Sequence, residues 1–215
     1  MKIGGLLRFS MSDYPGRPAA VVFTRGCDFR CPFCHNGSLL SARPAPDDPT
    51  AGEVLRFLRR RTEQLGGVVI SGGEPCLQPD LAAFLGEVRA MGFPVKLDTN
   101  GHHPEVLADL IDRRLVDCIA MDIKAPLAKY PLLCGRPVDT GRIARSIALI
   151  AASGIDHLFR TTCVDALLDR ADLAAIRALV PAGSRHLLQS FRAETAMDPA
   201  LRRRQGRAVQ AGMCH

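Results

Sequence analysis

Cys27, Cys31 and Cys34 fall within eight residues, Cys27-Asp28-Phe29-Arg30-Cys31-Pro32-Phe33-Cys34. Thiolates are soft ligands, and three on one short loop can converge on a metal or cluster, with Gly26 permitting the turn. Three unliganded cysteines packed at a loop would instead be an oxidation liability. A structural zinc site closes with four ligands, and His35, adjacent to Cys34, is awkwardly placed to close on the same ion. No second short-spaced cysteine pair occurs in the 215 residues. An iron–sulfur cluster of the [4Fe-4S] type normally takes four thiolates, so three leave one iron with a position for an external ligand. On the cysteines alone, the zinc and iron–sulfur readings both stay open.

Polar residues recur where later apolar runs end. Ser71-Gly72-Gly73-Glu74-Pro75 offers two glycines past which a small ligand can approach the backbone. Its Glu74 can accept bonds from an ammonium group. Leu97-Asp98-Thr99-Asn100-Gly101 and Ala120-Met121-Asp122-Ile123-Lys124 place Asp98 and Asp122 at corresponding ends of neighbouring strand candidates. There they could share a hydroxyl, a cation or an ammonium. Arg160, in Arg160-Thr161-Thr162, can meet a carboxylate bidentately. Each has an ordinary alternative as a turn or a helix cap; one βα unit apart and following the cysteine loop, they point to one site. His102 and His103 are expected in the loop opening the next helix, with no catalytic role.

The elements that must position these residues follow one rhythm, a short β-rich run and then a longer amphipathic one. Strands are predicted at residues 19–24, 67–71, 94–98, 116–121, 157–164 and 186–191. Several are nearly continuous apolar runs, as in strands covered on both faces. Between them, Thr50-x-x-Glu53 is a capping box before Val54, Leu55, Phe57 and Leu58. Further helices carry Leu81, Phe84, Leu85 and Val88; Leu107, Leu110 and Ile111 after Pro104; Ile143, Ile147 and Ile150; and Leu173, Ile176 and Leu179. A last helix starts at Asp198-Pro199. Alternation of this kind predicts an α/β fold with parallel strands and right-handed crossovers. Such sheets gather ligands at the C-terminal ends of their strands, whether an open doubly wound sheet or a partial barrel. Residues 1–18, with the turn signal Asp13-Tyr14-Pro15-Gly16, predict a hairpin or edge strand, and proline-rich 41–49 a loop.

Length and composition set the outer limits. A chain of 215 residues supports one substantial core without disulfide staples. The formal charge of +6 is concentrated in a tail, since without Arg202, Arg203, Arg204 and Arg207 the balance is +2. No nucleic-acid-binding surface is indicated, only a basic tail at 198–215. No apolar run nears the ~18 residues of a spanning helix, so no membrane association and a cytoplasmic location are expected. In that compartment, cysteines are reduced or metal-bound.

Taken together, these strings resemble the radical S-adenosylmethionine superfamily. Cys27-x3-Cys31-x2-Cys34, with Phe33 before the last cysteine, has the form of its signature. Nearly the whole chain is similar to the glycyl-radical-enzyme activases, above all to the anaerobic ribonucleoside-triphosphate reductase activating branch. The resemblance implies a single radical S-adenosylmethionine domain over 1–215, a partial (β/α)6 barrel of parallel strands with outer helices. It implies one [4Fe-4S] cluster on Cys27, Cys31 and Cys34, whose open iron binds S-adenosylmethionine (SAM). Reductive cleavage would give a 5′-deoxyadenosyl radical that abstracts hydrogen from a glycine of a large partner, with anaerobic ribonucleotide reductase as the expected one. Flavodoxin or ferredoxin would supply the electron. Glu74, with Gly72 and Gly73, would bind the methionine amine. Asp98, Thr99 and Asp122 would lie near the methionine carboxylate and a monovalent cation. Lys124 and Arg160 would contact the cofactor or hold the partner's glycyl loop, and Phe33, His35 and Asn36 would border the adenosine. Two rivals are a SAM radical enzyme with a small-molecule substrate, such as a 7-carboxy-7-deazaguanine synthase, and a non-enzymatic iron–sulfur or zinc protein. In the pyruvate formate-lyase activase relative a His follows the aromatic of the sixth strand. Here Arg192 follows Phe191, so no role is carried over to that position.

Overall fold

The computed structural model describes residues 1–204, without the side chains of the last two; Arg207, Cys214 and the rest of the Arg-rich tail lie outside the described residues. Strand β1 (Ile3–Tyr14) turns through Pro15 and Gly16 into β2 (Arg17–Thr24), and Gly16 takes φ +72°, which a side chain would resist. The pair is antiparallel, with Tyr14 opposite Arg17 and Ile3 opposite Thr24. The N-terminal segment is therefore both a hairpin arm and an edge strand.

Parallel strands then follow in chain order: β3 (Gly67–Gly72), β4 (Val95–Thr99), β5 (Cys118–Asp122), β6 (Asp156–Cys163) and β7 (Arg185–Ser190). Each pairs with its predecessor, giving the order β1-β2-β3-β4-β5-β6-β7. A doubly wound sheet must reverse its order at a switch point, and this one never does. Right-handed crossovers that always advance in one direction keep the helices on one face and curl the sheet into a partial barrel. Its β1 and β7 edges are not joined, and β7 keeps Leu187 and Leu188 exposed.

The helices are α1 (Ala51–Arg59), α2 (Leu81–Ala90), α3 (Pro104–Asp112), α4 (Tyr130–Cys134), α5 (Thr140–Ala152), α6 (Arg170–Leu179) and α7 (Pro199–Arg204). The capping box forms as the sequence predicts: Thr50 Oγ1 accepts from Glu53 N, and Glu53 Oε2 accepts from Thr50 N at 2.8 Å. Helix α4 has no counterpart in the sequence reading. Five residues are too few for a periodic stripe; it is bounded by Pro131 in its first turn and by Gly135, left-handed at φ +62°.

Alternation along each strand divides the core in two. Ala20, Val22, Val68, Ile70, Leu97 and Ile119 face the helices and join the main core. Tyr14, Ala19, Val21, Val69, Cys118, Ala120 and Leu158 form a separate apolar floor inside the barrel. On that floor stands a polar layer that includes Lys96, Asp98, Asp122 and Arg160.

Candidate active site

The cysteine loop leaves β2 at Thr24 and is held by main-chain bonds on both sides. Gly26, at φ +91°, donates to Leu39 O at 2.8 Å, and its carbonyl accepts from Glu74 N at 2.7 Å. Gly73 N donates to Thr24 O at 2.9 Å, and Arg30 N donates to Cys134 O at 2.7 Å. This close approach of strand ends accounts for the glycine pair. A Cβ at Gly73 would lie 2.1 Å from Gly26 O, and one at Gly72 would lie 2.3 Å from Thr24 N. The glycines were expected to make room for a ligand; what they first make room for is the cysteine loop.

Cys27, Cys31 and Cys34 line one cavity of about 690 Å³. Burial, then the nearby Glu74 carboxylate, pushes the Cys27 thiol up to about 12, and burial also raises Cys34. Thiols in that state deprotonate when a metal replaces the proton. Cys31 is held low, chiefly by a hydrogen bond with the Cys134 thiol.

Across the cavity runs a ladder of alternating charge. Arg160 Nε donates to Asp122 Oδ1 at 2.8 Å, and its Nη1 to Asp98 Oδ2 at 3.3 Å. Lys96 pairs with Asp98, and Lys124 Nζ lies 3.3 Å from Asp122 Oδ2. The register explains the geometry. Asp122 lies beside Arg160, whereas Asp98 lies beside Ala120, two residues further down the barrel. The two acids are thus not at corresponding ends; they occupy successive inward layers, and the long arginine spans both. Lys124, Arg160, Asp98 and Asp122 line the cavity, while Lys96 is buried beneath it. Burial disfavours the charge on Lys124 and Arg160, but Asp122 with the nearby cysteines for Lys124, and Asp122 with Asp98 for Arg160, together outweigh it and raise both.

Residues 21–171 match the sequence profile described as the Radical SAM superfamily. The chain belongs to this superfamily. A Methanocaldococcus jannaschii protein provisionally named a glycyl-radical enzyme activating enzyme is 32% identical over 91% of this chain and 82% of its own length. A 7-carboxy-7-deazaguanine synthase of Methanopyrus kandleri is 33% identical over 53% of this chain, which spans only about half of that relative, 52%. The SuiB protein of Streptococcus suis, in its structure bound to S-adenosylmethionine, shares the fold at TM-score 0.59 and 16% identity, over 78% of this chain and 39% of SuiB. Superfamily membership implies a [4Fe-4S] cluster and SAM.

The radical SAM site has a donor set that fits those groups. Three cysteines line a cavity of small-molecule size, together with Lys124 and Arg160. Phe33, His35, Asn36, Gly72, Gly73, Asp98, Thr99, Asp122, Lys124 and Arg160 line the same cavity. The His35 ring stacks on Phe191 with centroids 5.7 Å apart, and Asn36 Nδ2 donates to Gly72 O at 3.3 Å.

Glu74 does not line this cavity. Its side chain is fully buried behind the cavity wall, accepting from Cys76 N at 3.0 Å, Thr99 Oγ1 at 2.9 Å and Asn100 N at 2.7 Å. Burial pushes its carboxyl up, and the Asn100 and Cys76 amides partly offset this. Glu74 therefore staples the end of β3 to the end of β4. Glu74→Ala is expected to cost about 3 kcal/mol in urea unfolding, because it strands two buried amides. Glu74→Gln is expected to cost part of that, since one of its two acceptor atoms becomes a donor facing a donor.

Several participants escaped the sequence reading. Lys96 and Asp98 share a face at i, i+2, a signal that was available. Ser71 Oγ donates to Asp98 Oδ2 at 3.1 Å, and Cys134 reaches Cys31 from more than a hundred residues away. His102 and His103 do lie where α3 opens, but both rings meet the carboxylate of Asp28.

Proposed function

We propose that this radical SAM enzyme is a glycyl-radical-enzyme activase comprising one domain, with anaerobic ribonucleotide reductase as its partner. The observation that carries the reading is that the three cysteines and the Asp98–Arg160–Asp122–Lys124 ladder line one cavity, at the strand ends of a barrel whose edges are not joined. The similarity to the Methanocaldococcus jannaschii protein along most of both chains supports it.

In this reading Cys27, Cys31 and Cys34 would hold the cluster, and the cavity they line would take SAM. Together the bound groups supply reductive cleavage to methionine and a 5′-deoxyadenosyl radical, with the electron from flavodoxin or ferredoxin. The residues do the rest. Lys124 and Arg160 offer positive charge to the methionine carboxylate, and the main chain of Gly72 and Gly73 offers acceptors to its amine. Phe33, His35 and Asn36 border the adenosine. Gln189, Ser190 and Arg192 at the β7 end line the mouth, where a glycyl loop would enter. The monovalent cation that the resemblance implies would have to share its oxygens with Arg160, and it is left out of the proposed site.

The test is anaerobic reconstitution, then SAM, a reductant and a purified anaerobic ribonucleotide reductase. A glycyl radical on the reductase by electron paramagnetic resonance is the expected result. The similarity to a 7-carboxy-7-deazaguanine synthase over about half of the chain favours a second reading. Cleavage stimulated by a pterin-like compound, with no radical on a protein partner, would select it.

A further inference from the structure

We propose that Asp28, His102 and His103 form a binding site for a divalent transition-metal cation, separate from the cysteine cluster. One donor atom from each residue lies within 4.8 Å of the others. Asp28 Oδ2 stands 2.7 Å from His102 Nδ1 and 3.1 Å from His103 Nε2. Donors bound at about 2.0–2.1 Å to one ion are spaced on the order of 3 Å apart, so a small shift admits the cation between them. Two imidazoles and a carboxylate suit zinc or ferrous iron. Calcium and magnesium prefer oxygen donors, and thiolate-seeking ions prefer the neighbouring cysteines.

The surroundings are those of a built site. The other oxygen of Asp28 accepts from Asn100 Nδ2 at 2.8 Å, which turns Oδ2 toward the histidines. The second ring nitrogen of His103 lies 3.8 Å from Glu105 Oε1. Outer carboxylates and amides of this kind orient metal-binding side chains. The histidine segment is itself anchored: His102 N donates to Asn100 Oδ1 at 2.9 Å, and Arg142 Nε donates to His102 O at 2.7 Å. The three side chains keep 18–21% of their surface exposed, so water can complete the coordination. Without metal, both rings hydrogen-bond the Asp28 carboxylate. A cation would replace those protons and clip the cysteine loop to the β4–α3 connection.

The test uses protein with its cluster installed, dialysed anaerobically against Zn²⁺ alone. One zinc per chain beyond the cluster iron is expected, and zinc-edge X-ray absorption should show only nitrogen and oxygen neighbours at about 2.0–2.1 Å. His102→Ala and His103→Ala should keep the wild-type iron content and circular dichroism. Their zinc affinity should fall by more than the ~10–100-fold that loss of an outer-shell partner causes. Substoichiometric zinc in the wild type, sulfur in the zinc shell, or wild-type affinity in both variants would overturn the site. Iron content and SAM cleavage report on the activase reading and zinc content on this one, so the two can fail independently.

Discussion

Replacing Cys27, Cys31 or Cys34 singly with alanine is expected to bring bound iron and SAM cleavage to background while the fold is retained. The three thiols sit on a loop whose course is fixed by main-chain bonds through Gly26, Gly73 and Arg30, none of which a cysteine side chain makes. Loss of one thiol therefore leaves the frame standing. What it removes is one of three donors, and a cluster already one thiolate short of the usual four has no donor to spare. Cys134 is the nearest substitute, and its thiol hydrogen-bonds Cys31. It lies behind the loop and does not line the cavity, so it does not rescue the variants. Cys118→Ala provides the contrast. Cys118 belongs to the apolar floor of the barrel, so this variant should retain full iron and lose only the small packing contribution of a buried thiol. Iron and sulfide analysis with SAM turnover distinguishes the cases. A Cys31→Ala protein that still cleaves SAM refutes the cysteine assignment, and a wild type that takes up zinc but no iron refutes the radical reading.

Much of this architecture was legible in the sequence because it is local. Apolar runs such as Val68-Val69-Ile70 are strands wherever they fall in a buried sheet, and the Thr50–Glu53 box starts its helix with its own atoms. What the sequence hid depends on register or on distance along the chain. Asp98 and Asp122 both end short strands, so they read as equivalent; only the pairing of Asp98 with Ala120 and of Asp122 with Arg160 reveals one acid a layer below the other. The hydrogen bonds of Glu74 to Thr99 and Asn100 depend on the β3–β4 pairing, which no local run of residues shows. Asp28 and His103 stand 75 residues apart, and each had an ordinary loop role available.

The ladder itself carries the second large effect. Arg160→Leu is expected to destabilise the protein by about 3 kcal/mol at neutral pH, the low end for breaking a buried ion pair. The low end applies because Asp122 keeps 33% of its side chain exposed to the cavity. The loss is electrostatic more than steric, since leucine refills much of the space while Asp98 and Asp122 keep only their lysines. The pH dependence separates these terms. Burial pushes the Asp122 carboxyl up, but Arg160 first and Lys124 second outweigh it and hold it below its ordinary value. A carboxylate depressed in the folded state contributes stability that is complete above its unfolded value of about 3.9 and is lost as pH falls through the folded one. The gap between wild type and Arg160→Leu should accordingly be widest near pH 7 and narrow as pH falls below about 4, closing as it passes through the depressed wild-type value of Asp122. Asp122→Asn should cost less in the Arg160→Leu background than in the wild type, because the Asp122–Arg160 pair is already lost there, while Lys124 loses its partner in both. Urea unfolding of all four proteins of this cycle across pH measures both effects. A gap that does not change with pH, or strictly additive losses, would mean that Arg160 acts by packing alone.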